Sequence, residues 1–178
     1  MMQLDPRVPM PKRIAALRRH KGLPVPSMVL DDAWGVPNFR VIDMEKWQAL
    51  YHARGCGICG QRMGERVWFI GGPGSIDSHV FTDLPMHFPC AVFALRVCPF
   101  LALPRFKFID AEVDMGEGVV LNVNDHVSTR RPERFGLAST MSYKAQLLMD
   151  LTTKVPSAVL RAGPWTVVQW WQHGARVD

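Results

Sequence analysis

The sequence predicts an α+β fold, and three observations carry that expectation. Cys56 and Cys59 stand two residues apart near the middle of the chain, and His87 and Cys90 repeat the spacing further on. One helix with a clear capping residue precedes them. Short β-branched and aromatic runs dominate the C-terminal part. The chain has 178 residues, slightly over one typical domain length, so a single domain over 1–178 is expected. A body of that size buries roughly 70% of its unfolded surface. With 48% hydrophobic and 21% charged residues, disorder of the whole chain is excluded.

Residues 1–53 read as a proline-rich N-terminal arm and a helix. Pro6, Pro9, Pro11, Pro24 and Pro26 surround one short helical candidate, Arg13 to His20, in which Ile14, Leu17 and Arg18 recur at helical spacing. Two turns have little stability of their own, and each proline disfavours helix in the residue before it. Asn38 to Ile42 reads as a short strand. Asp43 then suits the cap of a helix from Met44 to about Ala53, with Trp47, Leu50 and Tyr51 on one face.

Residues 54–104 hold the chemistry. Arg54-Gly55-Cys56-Gly57-Ile58-Cys59-Gly60 has the pattern of a zinc knuckle, a tight turn from which two thiolates grip one ion. Gly57 and Gly60 are expected to take the positive φ angles that turn backbone N–H groups toward the sulfurs. Pro89 suits the first position of a helix, which places Cys90 in its first turn and His87 just before it. Cys56, Cys59, His87 and Cys90 together supply three sulfurs and one nitrogen, a natural tetrahedral shell for one structural Zn²⁺ per chain. Between the pairs, Arg66 to Ile70 reads as a strand and Gly71-Gly72-Pro73-Gly74 as a hairpin-like bend. Knuckle, hairpin and helix in this order make a treble-clef-like module. Redox use of Cys-x2-Cys would place it at a helix N-terminus in a βαβ setting, and no such setting comes after Cys59. Cys98 is the alternative fourth ligand. Eight residues beyond Cys90 it lies about 12 Å along a helix axis, too far for one ion to take both, so it reads as a buried thiol before the helix-ending Pro99. Trp68, Phe69, Phe88 and Phe93 read as core.

Residues 105–178 form the β-rich C-terminal part. Arg105 to Val113 alternates weakly, and Val119 to Val123 is a compact apolar run after a Gly116-Glu117-Gly118 turn. Met141 to Leu151 suits helix or strand, and its composition favours helix. Trp165 to Trp171 is a β-branched and aromatic strand, with Trp170 and Trp171 on opposite faces.

Several of these motifs resemble a family of small, functionally uncharacterised proteins carried by bacteriophages and bacteria. The resembling segments are Cys-x2-Cys-Gly-x2-Met-Gly, Phe69-Ile70-x-Gly72-Pro73, Pro85-Met86-His87-x2-Cys90-Ala91 and Cys98-Pro99-Phe100-Leu101. Leu23-Pro24-Val25-Pro26 with Pro37-Asn38-Phe39-Arg40 is similar to the family's opening pattern, and Val168-Gln169-Trp170-Trp171-Gln172-His173-Gly174 to its closing one. The likeness runs from about residue 23 to 174 and is weakest over 105–160. It implies the metal ligands and a phage or mobile-element setting, and no activity or catalytic residue.

Charge and chemistry narrow the function classes. The net charge of +5 is uneven: residues 1–55 carry nine bases and five acids, and residues 110–178 seven bases and eight acids. A modest positive charge mostly aids solubility. A shell closed by four protein ligands leaves no position for a substrate water. A nuclease of the HNH type, which shares a knuckle and helix, needs a base histidine and an asparagine. Asp77-Ser78-His79 lies between the zinc pairs, but no Asn falls between His79 and Cys90, and Asn122 to His126 lies beyond the module. A thiol enzyme built on Cys98 with His79 or His126 is disfavoured because buried thiols are inert. Gly71 to Ser75 lacks the Gly-Lys-Ser/Thr ending of a phosphate loop.

The expectation is therefore a non-catalytic protein that binds another protein, a host factor in a phage setting, with anchors from Arg130 to Phe135 and the tail aromatics. The alternative is nucleic acid bound through Arg13, Arg18, Arg19, Lys21, Arg62, Arg66 and Arg105, which are scattered in sequence. No apolar run reaches membrane-spanning length and Met1 to Pro6 lacks a signal-like pattern, so a cytoplasmic location without a membrane partner is expected.

Overall fold

The computed structural model describes residues 7–103, 131–149 and 156–178. Helix α1 covers Lys12–Ala15 and is followed by strands β1 (Arg19–His20), β2 (Leu23–Pro24), β3 (Val29–Asp31) and β4 (Pro37–Ile42). The helix expected over Arg13 to His20 stops after one turn. Lys21 and Gly22 adopt left-handed φ angles of 49° and 85°, and the chain reverses into the β1–β2 hairpin. That pairing outcompetes a second helical turn that has little stability of its own.

Helix α2 runs over Met44–Ala53 and starts as the sequence indicates. The Asp43 carboxylate accepts hydrogen bonds from the Glu45 and Lys46 amides, both at 3.1 Å. Trp47 is buried, and its indole N–H donates to the Thr82 carbonyl at 2.9 Å. The helix ends at Arg54 in the left-handed conformation, directly before the knuckle.

Strand β5 (Val67–Gly71), helix α3 (Pro73–Ser78), strand β6 (Val80–Phe81), helix α4 (Phe88–Val97) and helix α5 (Pro99–Ala102) come next. The glycine-rich bend is a helix instead: Gly72 is its cap and Pro73 opens it, since the fixed φ of proline suits a first turn. The hairpin of the treble-clef-like order is reduced to one antiparallel bridge, Trp68 with Met86, whose amides and carbonyls bond both ways at 3.0 and 2.8 Å. Helix α4 ends at Cys98, where Pro99 breaks it as expected.

The last strands are β7 (Phe135–Thr140), β8 (Tyr143–Met149), β9 (Pro156–Ala162), β10 (Val167–Gln172) and β11 (Ala175–Arg176). Over residues 141–149, the described part of Met141 to Leu151, the chain forms a strand and not a helix. Strand β8 pairs antiparallel with β9 from Tyr143↔Ala162 to Met149↔Pro156, so a ladder overrides local composition. Arg105 to Val113, Val119 to Val123 and Asn122 to His126 lie outside the described residues.

Two antiparallel sheets organise these elements, in the orders β11-β10-β7-β5 and β6-β9-β8. Each takes one strand from between the cysteine pairs and the rest from the C-terminal part. Every residue of β7 is buried. Trp171 is buried and Trp170 half-buried, on opposite faces of β10. Trp68, Phe69 and Phe93 join the core as expected. Phe88 does not: it is 41% exposed and covers Trp68 at a ring separation of 4.7 Å. Among the described residues no helix is long and apolar enough to cross a membrane.

Candidate metal centre

The structure brings Cys56, Cys59, His87 and Cys90 together, with their ligand atoms all within 4.8 Å of one another. Three different stretches of chain hold them there. After α2, the Gly55 amide bonds the Leu50 carbonyl at 2.7 Å and the Cys56 amide bonds Gln61 at 2.9 Å, closing the knuckle. The arm clamps it from outside: the Ser27 amide and hydroxyl both donate to the Ile58 carbonyl, at 2.9 and 3.1 Å. The Gly57 amide bonds the Pro85 carbonyl at 3.0 Å, tying the knuckle to the segment that leads into His87.

The two knuckle glycines act differently from each other. Gly60 is left-handed at φ +71°, as expected. Gly57 is not among the positive-φ residues; its role is close approach, because an added Cβ would lie 3.1 Å from the Leu84 Cβ and 3.2 Å from its carbonyl. The N–H groups that face the sulfurs belong to Cys59 and His87, on Cys56, and to Gln61, on Cys59.

His87 is the N-cap residue of α4 and Cys90 lies in the helix's first turn, where partial positive charge favours a thiolate. The His87 Nδ1 lies 3.4 Å from the Cys59 sulfur. Its Nε2 lies 3.1 Å from the Arg62 carbonyl. An N–H on Nε2 donating to that carbonyl leaves the Nδ1 lone pair facing the cysteines, the outer contact that orients metal-binding histidines.

Cys56 and Cys90 have no solvent exposure, and Cys59 is nearly buried. Hydrogen bonds from the Cys59 and Cys90 thiols hold Cys56 far below the usual thiol range, against its burial. The same contacts with Cys56, joined by burial, push Cys59 and Cys90 up. Crowded thiols of this kind have a ready alternative, which is to lose their protons to a cation at their centre.

The donor set fits such an ion. A tetrahedron with metal–sulfur bonds of about 2.3 Å has edges of about 3.8 Å, so the cluster needs only slight contraction to hold one. Cys98 is not in it. That thiol sits at the far end of α4, half-buried, and burial raises its pKa. Cys56, Cys59 and Cys90 are part of the main hydrophobic core, with Trp47, Phe69 and Leu84.

Of the candidate catalytic residues, His79, Asp77 and Ser78 fall among the described residues. His79 is left-handed at φ 61°, stacks on Trp165 at 4.5 Å and places Nδ1 3.0 Å from the Gly163 carbonyl. Asp77 and Ser78 are exposed beside it, and His126 lies outside the described residues. Among the residues expected as partner anchors, Arg131 donates to the Phe100 carbonyl at 2.6 Å and Arg134 lies over the Trp170 ring at 4.3 Å.

Fold and site together define a mixed α+β protein with several small antiparallel sheets around a Cys-x2-Cys…His-x2-Cys cluster that could hold one metal ion. No protein-family model, curated protein or solved structure matches the chain.

Proposed function

We propose that this is a zinc-stabilised, non-catalytic binding protein of phage or mobile-element origin, acting on a protein partner in the host cytoplasm and modulating a host factor or host defence. The observation that carries the reading is the donor set: three cysteine sulfurs and the His87 Nδ1 converge on one point. Zinc suits three thiolates and an imidazole better than a hard cation does. With four protein ligands there is no open position at which hydroxide could form. The ion's role is then to weld the knuckle to the start of α4 inside the core. His79, the candidate base among the described residues, is engaged by Trp165 and Gly163, which supports binding over turnover.

Elemental analysis of protein purified without added metal should give about one zinc per chain. Finding none, with all four cysteines freely titratable under native conditions, rejects the metal. Affinity purification from host lysate should recover a specific protein, whose binding is then reconstituted with purified components. Metal-dependent DNA cleavage that disappears in a folded His79→Asn, His126→Ala variant would replace the reading with a nuclease.

A further inference from the structure

The surface of the two N-terminal hairpins exposes aromatic and cationic side chains that neither the metal centre nor the core uses. Trp34, 87% exposed, stands at the tip of the β3–β4 turn. The turn beneath it is firmly built. The Asp32 carboxylate accepts from the Trp34 and Val36 amides, both at 2.9 Å. The Gly35 amide bonds the Asp32 carbonyl at 3.0 Å, and the Asp32 amide bonds Val36 at 2.9 Å.

Strand β4 then departs from its ladder. Leu30 pairs with Asn38 but Val29 pairs with Ile42, so Phe39, Arg40 and Val41 bulge out. The Asn38 side chain accepts from the Arg40 amide at 3.1 Å and holds the bulge, which leaves Phe39 45% exposed. Bulges re-aim side chains at sheet edges. The β1–β2 hairpin adds the His20 ring, 6.3 Å from that of Phe39. An Arg18–Asp31 ion pair joins the two hairpins. Asp31 is thereby neutralised and the Asp32 carboxylate is engaged by its own turn. Arg19 and Lys21 are exposed and have no carboxylate within ion-pair distance among the described residues.

We infer that this face binds single-stranded nucleic acid, with Trp34 and Phe39 stacking on bases and Arg19 and Lys21 meeting phosphates. Exposed rings and exposed cations carried on the same pair of hairpins suit a ligand whose flat apolar faces alternate with negative charge. An acidic protein would answer the charge but not the spaced rings. A bilayer surface would call for the rings grouped at one tip.

The probe is a fluorescently labelled oligo-dT of about 20 nucleotides, titrated by anisotropy at low salt. Trp34→Ala and Phe39→Ala should each weaken binding about tenfold, with circular dichroism and metal content unchanged. Lys21→Ala should make the slope of log affinity against log salt shallower by about 0.7. Absence of oligo-dT binding, or equal affinity in the parent and both ring variants, overturns the inference. Equal binding of poly-glutamate would show a charge surface alone and overturns it. A blue shift of tryptophan fluorescence on phosphatidylglycerol vesicles, without oligo-dT binding, assigns the face to a membrane and overturns it too.

Discussion

Removing the metal should lower stability by an amount set by chain connectivity. The donors from different stretches that lie closest in sequence are the Cys59 sulfur and the His87 Nδ1, separated by 28 positions. An ion joining them cross-links a loop of that length. By the chain-entropy relation used for disulfides, this removes about 3.6 kcal/mol of unfolded-state entropy at 25 °C. Bonding to the ion adds to that figure, so it is a lower bound. For a chain of this size each kcal/mol moves the melting temperature by roughly 2–4 °C, which gives a fall of about 7–14 °C. The assay is thermal unfolding by circular dichroism, before and after stripping with a chelator, with zinc counted in both samples. His87→Ala should reproduce only part of the loss, because Cys90 still closes a loop of similar length through any ion that stays bound. Zinc-free protein that melts within about 2 °C of the metal-bound form would refute the cross-link argument, whatever the ion's identity.

Other consequences are simpler. Cys98→Ser should keep the full metal complement and lose less than about 1 kcal/mol, whereas Cys90→Ser should give insoluble or unfolded protein, by solubility and zinc content. Tyr143→Phe should be neutral or slightly stabilising in chemical denaturation, because the hydroxyl is buried without a partner among the described residues. Burial raises the Tyr143 pKa. The unfolded chain therefore loses its proton first as pH rises above about 10, and the parent should lose stability there by an increment absent from the phenylalanine variant. His79→Ala should cost about 1–2 kcal/mol through its left-handed backbone and lost ring stacking, while His79→Asn, which tolerates that backbone, should cost less.

Local chemistry was legible from the residues alone. The spacing within the Cys56/Cys59 and His87/Cys90 pairs, the Asp43 cap, the end of α4 at Cys98 and the opposed faces of Trp170 and Trp171 each depend on neighbours a few positions away, through turn geometry, capping bonds or strand alternation. Tertiary structure decided what local preference leaves balanced. Met141 to Leu151 could satisfy helix or strand until β9 offered a full ladder, and Arg19 and His20 left a short helix once Leu23 and Pro24 could pair with them. The resting place of His79 against Trp165, the exposure of Phe88 and the meeting of Phe39 with His20 depend on segments far apart in the chain. Their cause is the same. Burial and backbone pairing reward contacts between distant residues, and the order of residue types along a chain does not specify which distant partner arrives.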